Sequence, residues 1–454
     1  MQMSFWTVIL DFGLMSGLIL IGQLLRAKIK FIQQLYLPAS LIAGFIGLVF
    51  GPNGLKLIPF STFFGSYSGV LIVLVFATLP IGQEKVDLKE SKEGIGNMWG
   101  YSLLTYVGQY LFALLLGIII FVPIFKTHPG FGYMLPAGFV GGHGTAAAVG
   151  TAFAGLGWDE ATSLGMTSAT VGILSGLIVG IILIKRATKR GDTNYIGDFE
   201  SLPNSFRTGL LQDEERPVMG KEPFSTISVD PLAMHFALIL FVSILAKYLA
   251  NFILSINPKI NLPIFTLAVI VGFILQAILN KTGGSKYVDK RVITRIGSTC
   301  TDYLVGFGVA SIQLGIVVKY AIPLIILFAL GIAYNIFMVL FLAPRMFKKC
   351  WFEKGIYTFG WASGVTAIGI TLLRITDPEF KSKTLDDFSL GYLFGTMPAE
   401  LILVSITPIL INEGMTIQLI SVLAALIIII LLISWKLKWF YSKQGKRSNK
   451  YVES

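Results

Sequence analysis

The chain has 454 residues, of which 54% are hydrophobic and 13% charged, with a net charge of +11. A soluble domain carries about 25% charged residues, so this composition, joined to long apolar runs, excludes a soluble globular protein and points to an integral membrane protein. The positive charge does not indicate nucleic-acid binding, because the basic residues fall between apolar runs and not along one face.

No basic stretch precedes the first apolar run, 5–24, which therefore reads as a retained helix and not a cleaved signal. About 20 apolar residues cross a hydrocarbon core as a helix. Spans are expected over 5–24, 36–50, 66–82, 98–123, 161–184, 231–255, 262–280, 297–315, 320–343, 388–411 and 417–437. Two further apolar stretches, 133–155 and 355–373, are rich in Gly, Ser and Thr.

With the N-terminus outside and neither stretch crossing, 31 of the 36 Lys and Arg fall on the cytoplasmic side, as the positive-inside rule requires. The basic segments run from Arg26 to Lys30, Lys85 to Lys92, Lys185 to Lys221, Lys281 to Arg295, Arg345 to Lys354, Arg374 to Lys383 and Lys436 to Lys450. Lys56, Lys126, Lys259 and Lys319 fall outside, and Lys247 lies within a span. A crossing at 133–155 would force the basic 185–230 segment outside, and 355–373 has basic residues on both flanks. Both stretches are therefore expected to be re-entrant hairpins, the first dipping from outside and the second from inside.

The expected fold is an all-α polytopic membrane protein with two inverted five-span repeats, each carrying a re-entrant hairpin, plus an extra C-terminal span. The first repeat covers 1–184 with hairpin 133–155, and the second covers 231–411 with hairpin 355–373. Between them lies a cytoplasmic linker, 185–230, too short for a core of its own; residues 412–454 add a span and a basic cytoplasmic tail. Pro38 precedes Gly47 by the same interval at which Pro263 precedes Gly272, a weak echo between the halves. Inverted repeats whose broken elements meet near the midplane are the architecture of secondary transporters.

At a hairpin tip, the free N–H groups that open one half-helix attract an anion, and the carbonyls that close the other attract a cation. Gly141, Gly142 and Gly144 let a ligand approach the backbone, with Thr145 and Thr151 adding hydroxyls. Ser363-Gly364-Val365-Thr366 offers the same chemistry from the opposite side. The substrate-binding candidates are Gly141, Gly142, His143, Gly144, Thr145, Ser363, Gly364 and Thr366, placed to hold a small zwitterion or anion beside Na⁺. His143 is also a candidate proton carrier, and close helix packing is the competing role for the glycines.

Ionisable residues within spans are costly in a bilayer; here they are Asp11, Lys247, Asp302 and Glu400. Glu400 follows Gly395-Thr396-Met397-Pro398, where a kink is expected. The Na⁺-binding candidates are Thr151, Thr170, Asp302 and Glu400, whereas Asp11 and Lys247 lie close enough to an interface to snorkel. His128, His143 and His235 stand apart in sequence, and Cys300 and Cys350 have no metal-binding spacing, so neither a transition metal nor the paired groups of an intramembrane enzyme are expected.

At these residues the sequence resembles the bacterial sodium:glutamate symporter family. The resemblance rests on Gly141-Gly142-His143-Gly144-Thr145 followed by Ala146-Ala147, on Ala169-Thr170, on Phe76-Ala77-Thr78, and on Gly395 with the acidic Glu400 after it. It runs in order from about residue 5 to residue 411. After Thr366-Ala367-Ile368, Gly369-Ile370 stands where the family usually has Ala-Asn; Glu400 replaces an aspartate; and the 417–437 span is additional. The resemblance implies Na⁺-coupled symport of L-glutamate, or a related amino or dicarboxylic acid, by an elevator-like alternating-access mechanism. It further implies a homodimer in the bacterial inner membrane, C-terminus cytoplasmic, with Na⁺ as transported coupling ion and no organic cofactor. A proton-coupled organic-anion carrier using His143 or Glu400 is the alternative, and an intramembrane enzyme the remote one.

Overall fold

A computed structural model describes residues 5–34, 37–82, 92–195, 227–256, 262–378 and 380–440, together with 208–211, 213, 216, 218 and 220 of the linker. Lys85, Lys89 and Lys259, most of the 185–230 linker, residues 1–4 and the basic tail beyond Phe440 lie outside the described residues.

Among the described residues the regular elements are helices. A bilayer core offers no water to backbone N–H and C=O groups, so a single segment must satisfy its own, and the apolar runs become helices. Eight of these are long and apolar enough to cross a membrane. The second and third expected spans are shorter, with 12-residue helices at Ala39–Phe50 and Tyr67–Thr78. The eighth begins earlier than expected: Lys290–Ala310 starts where the Asp289 carboxylate accepts hydrogen bonds from the backbone N–H groups of Arg291 and Val292. This side-chain cap extends the helix past the apolar run.

Three π-helical segments interrupt longer helices, at Gly117–Phe121, Met338–Leu342 and Tyr392–Thr396. Each ends two residues before a proline, namely Pro123, Pro344 and Pro398. Proline has no N–H and its ring crowds the carbonyl four residues back, so the ladder shifts locally to the wider i→i+5 pattern. The kink expected before Glu400 takes this form.

The helices form two compact units. Unit 1 comprises Met1–Asp87, His143–Met166 and Asn204–Ile316, and unit 2 comprises Leu88–Gly142, Thr167–Pro203 and Val317–Ser454. Within unit 1 the packing is reciprocal. Phe5–Lys28 contacts Ala39–Phe50 as Pro231–Ile256 contacts Ile264–Thr282. Ala39–Phe50 contacts Lys290–Ala310 as Ile264–Thr282 contacts Tyr67–Thr78. Exchanging the three earlier helices for the three later ones carries each of these two contacts into its counterpart. Small residues permit the close approach: a Cβ on Gly44 would lie 2.6 Å from Val309 Cβ, and one on Gly297 would lie 2.7 Å from Thr78 Oγ1.

Unit 2 has the same reciprocity. Lys92–Leu116 packs on the short helix Met134–Gly138 as Ala321–Phe337 packs on Trp351–Thr376, and the crossed pairs also touch. The additional helix, Thr416–Lys436, lies against Lys92–Leu116.

Asp11 has the structural role expected of it, but it is 1% exposed and does not snorkel. Its carboxylate accepts hydrogen bonds from Ser61 N at 2.8 Å, Ser61 Oγ at 2.5 Å and Tyr67 OH at 2.9 Å, tying the loop after Ala39–Phe50 to the first helix. Lys247 is exposed on Pro231–Ile256. Asp11→Ala strands three donors and is expected to cost about 2–3 kcal/mol. Lys247→Ala is expected to change stability by no more than about 0.5 kcal/mol. Thermal unfolding of the detergent-solubilised protein, followed by intrinsic fluorescence, measures the difference.

Candidate functional site

The first Gly-rich stretch forms two helices, Met134–Gly138 and Gly142–Gly155, with a turn at 139–141 between them. Gly142 has φ +64°, in the left-handed region where a side chain is penalised. The second stretch, Trp351–Thr376, is interrupted at Gly364 (φ −150°, ψ 38°) and Val365 (φ 66°, ψ 171°). Its length matches a full span, but its halves fold back on each other. A Cβ on Gly360 would lie 2.7 Å from Gly369 Cα, whereas nine residues of straight helix separate their ends by about 13 Å.

A β-branched residue at positive φ is a genuine outlier and persists only where its surroundings over-determine it. The neighbour of Val365 is Gly142, where any Cβ would overlap Val365 Cγ1. The two breaks therefore touch, each through a residue with positive φ. Helix Ala161–Arg190 supplies a third surface. Gly172 leaves room for the Ser363 carbonyl and the Phe139 ring, and a Cβ on Gly176 would lie 3.2 Å from Ser363 Cβ. Segments 139–142, 172–176 and 363–365 converge in unit 2.

A helix break frees carbonyls that would otherwise accept from the next turn. Two buried amides take over at Ala362. Gln109 Nε2 donates to Ala362 O at 3.1 Å and to Asn335 Oδ1 at 3.0 Å. Asn335 Nδ2 donates to Ala362 O at 3.2 Å and to Ser363 Oγ at 2.9 Å. Both amides are 0% exposed.

Glu400 belongs to an aromatic cluster in the same unit. Tyr392 OH donates to Glu400 Oε2 at 2.7 Å. Trp361, three residues before the break, lies 6.3 Å from the Tyr392 ring and stacks at 6.1 Å on Tyr106. Tyr106 OH donates to Tyr110 OH at 3.0 Å, and Tyr133 OH donates to the Leu403 carbonyl at 3.1 Å.

Of the expected substrate-binding residues, Gly142, Ser363 and Gly364 meet here; Gly141 adjoins Gly142, and Thr366 is exposed beside the second break. His143, Gly144 and Thr145 belong to unit 1, where His143 and Thr145 are buried. Gly144 is unlike Gly142: its φ is not positive, and an added Cβ would meet only Ile72 Cδ1 at 3.3 Å. Among the Na⁺ candidates, Thr151 and Asp302 are exposed residues of unit 1, with Thr151 Oγ1 donating to Ala147 O at 2.8 Å. Thr170 is buried in unit 2, which also holds Glu400. Two histidines serve local structure: His128 Nδ1 accepts from Gly130 N at 3.0 Å, and burial holds its pKa below the ordinary value. His235 joins Pro231 O at 2.6 Å to Asp289 N at 2.8 Å.

Gln109, Asn335, Val365, Gly172 and Gly176 were not among the expected site residues. Gly172 and Gly176 form a small-xxx-small pair that signals close approach. Gln109 and Asn335 are polar amides within apolar runs and become visible once uncharged polar residues are counted along with charged ones.

Eight helices long and apolar enough to cross a membrane define a polytopic membrane protein. The chain belongs to the sodium/glutamate symporter family, whose family model matches residues 7–358. Comparison with curated proteins and with solved structures returned no match. Family membership points to Na⁺-coupled glutamate transport. The match ends before the second break and Glu400.

Gly142→Ala is expected to abolish Na⁺-driven glutamate uptake in proteoliposomes, because it adds a Cβ at positive φ against Val365. Gly144→Ala is expected to retain at least about half of it, since no such conflict exists there. Adding Val365→Gly to Gly142→Ala removes the overlapping methyls and is expected to restore part of the uptake; equal activity in the two alanine variants would contradict the assignment.

Proposed function

We propose that this protein is a Na⁺-coupled symporter of L-glutamate, or a closely related amino or dicarboxylic acid, working by elevator-like alternating access. The observation that carries the reading is the contact of two helix breaks at Gly142 and Val365. Such a junction brings the opening N–H groups of half-helices, which favour carboxylates, near closing carbonyls, which favour cations. Substrate contacts are assigned to Gly141, Gly142, His143, Gly144, Thr145, Ser363, Gly364 and Thr366. Na⁺ contacts are assigned to Thr151, Thr170, Asp302 and Glu400.

In this reading the broken segments 133–155 and 355–373 are re-entrant hairpins within inverted repeats 1–184 and 231–411. The linker 185–230 and the tail after the added helix are cytoplasmic, and the N-terminus is outside. The reciprocal helix pairs of both units support the repeat, as do the matched π segments before Pro123 and Pro344. In this mechanism the two broken segments and their adjoining helices carry the substrate across while the remaining spans hold still. The working form is a homodimer in the bacterial inner membrane.

Symport requires each ligand to raise the other's affinity. Purified protein in proteoliposomes is expected to accumulate labelled glutamate under an inward Na⁺ gradient and not under a K⁺ gradient of equal size. Glu400→Gln is expected to raise the Na⁺ concentration for half-maximal uptake about tenfold, because a cation loses a full negative charge; an unchanged Na⁺ dependence in folded protein assigns Glu400 to packing.

A further inference from the structure

Gln109 has two polar atoms, and only one is used by its neighbours. Nε2 faces two acceptors, the carbonyl of Ala362 and Oδ1 of Asn335. This pairing fixes the amide orientation, because a flip would set oxygen against oxygen at both contacts. Oε1 is then left facing away from them. Among the described residues it has no hydrogen-bond partner, and Gln109 is 0% exposed. A buried acceptor without a donor costs about 1–3 kcal/mol, so the position calls for a donor that is not part of the described structure. Because Nε2 reaches the Ala362 carbonyl, Oε1 lies within a few ångström of the break at Gly364 and Val365.

We propose that Gln109 Oε1 accepts a hydrogen bond from the α-ammonium group of the transported amino acid and so selects amino acids over dicarboxylates that lack it. The inference rests on the transport reading above and adds to it a specificity-determining residue. The surroundings favour an ammonium over Na⁺. A bare cation needs several oxygen ligands, but the other oxygens near Gln109 already accept amide protons: Ala362 O from two donors, Asn335 Oδ1 and Ser363 Oγ from one each. One directional acceptor among donors suits a single N–H bond. The half-helix that opens after Val365 presents its free N–H groups on the other side of the break, where a carboxylate of the same molecule is stabilised. Ammonium and carboxylate of one α-amino acid would then bridge the break. Trp361 precedes Ala362 in the chain, and its ring stacks on Tyr106 of the helix that carries Gln109.

The test compares competition by unlabelled glutamate and by glutarate, its analogue without the amino group, against labelled glutamate uptake in proteoliposomes. Wild-type protein is expected to favour glutamate at least about tenfold, the worth of a hydrogen bond to a charged group. In Gln109→Leu the preference is expected to fall to near unity through weaker glutamate binding, with glutarate affinity and the Na⁺ concentration for half-maximal uptake unchanged. Gln109→Asn withdraws the oxygen by one methylene while keeping an amide. It is expected to lower the preference similarly and serves if Gln109→Leu does not fold. Asn335→Leu weakens support of the break but leaves the Ala362 carbonyl to hold Gln109 Nε2 and so the direction of Oε1, and it is expected to lower uptake while keeping the preference. A retained glutamate preference in both Gln109 variants overturns the inference, as does a loss of preference in Asn335→Leu equal to theirs. A shifted Na⁺ requirement with preference intact makes Gln109 a cation contact instead. Absence of glutamate uptake by the wild-type protein would overturn the transport reading itself, a result distinct from any of these.

Discussion

A backbone carbonyl released inside a bilayer has no water to accept from, and leaving it unsatisfied costs several kcal/mol. That constraint governs the second broken segment. Breaking Trp351–Thr376 at Gly364 and Val365 is tolerable because Gln109 and Asn335 bring buried amide protons to Ala362 and Ser363. Those amides come from two long helices, Lys92–Leu116 and Ala321–Phe337, so the break is held by elements from both halves of the chain. The polar backbone at the break is thereby met by protein groups within the fold.

The same economy of space recurs in the packing. In unit 1, Gly44 and Gly297 let short helices approach until backbone and β-carbons nearly meet. In unit 2, Gly172 and Gly176 do this against Ser363, and Gly142 does it against Val365. Substituting a larger residue at the first pair disturbs helix packing, whereas at the second it displaces a helix break. Glycine thus has two roles in one molecule, and only the backbone conformation and the neighbour tell them apart.

Much of the fold was legible because apolar run length and the positions of Lys and Arg are one-dimensional quantities. The broken segments were legible from their glycines, since few alternatives to a bend accommodate so many in a span. Other features depend on partners far along the chain. The burial of Asp11 depends on Ser61 and Tyr67, in a loop and a helix that sequence distance hides. Gly142 and Gly144 are equivalent as letters; the positive φ of one is set by the turn before it and by Val365. A valine with positive φ runs against its own propensity, so nothing local announces it. Gln109 and Asn335 carry no charge, so their burial within apolar runs gives no signal in the distribution of ionisable residues. The start of Lys290–Ala310 was hidden for a related reason, because an aspartate cap extends a helix beyond its apolar stretch.

We place the joint binding of substrate and Na⁺ at the junction of the two breaks. Thr366, exposed beside the second break, reports on it directly. With Cys300 and Cys350 replaced by serine and a single cysteine at position 366, the rate of alkylation by a small maleimide is the measurement. Glutamate with Na⁺ is predicted to slow the reaction at least about tenfold, while either alone slows it little, as coupled binding requires. An alkylation rate indifferent to both ligands, in protein that still accumulates glutamate, would place the site elsewhere and contradict the account.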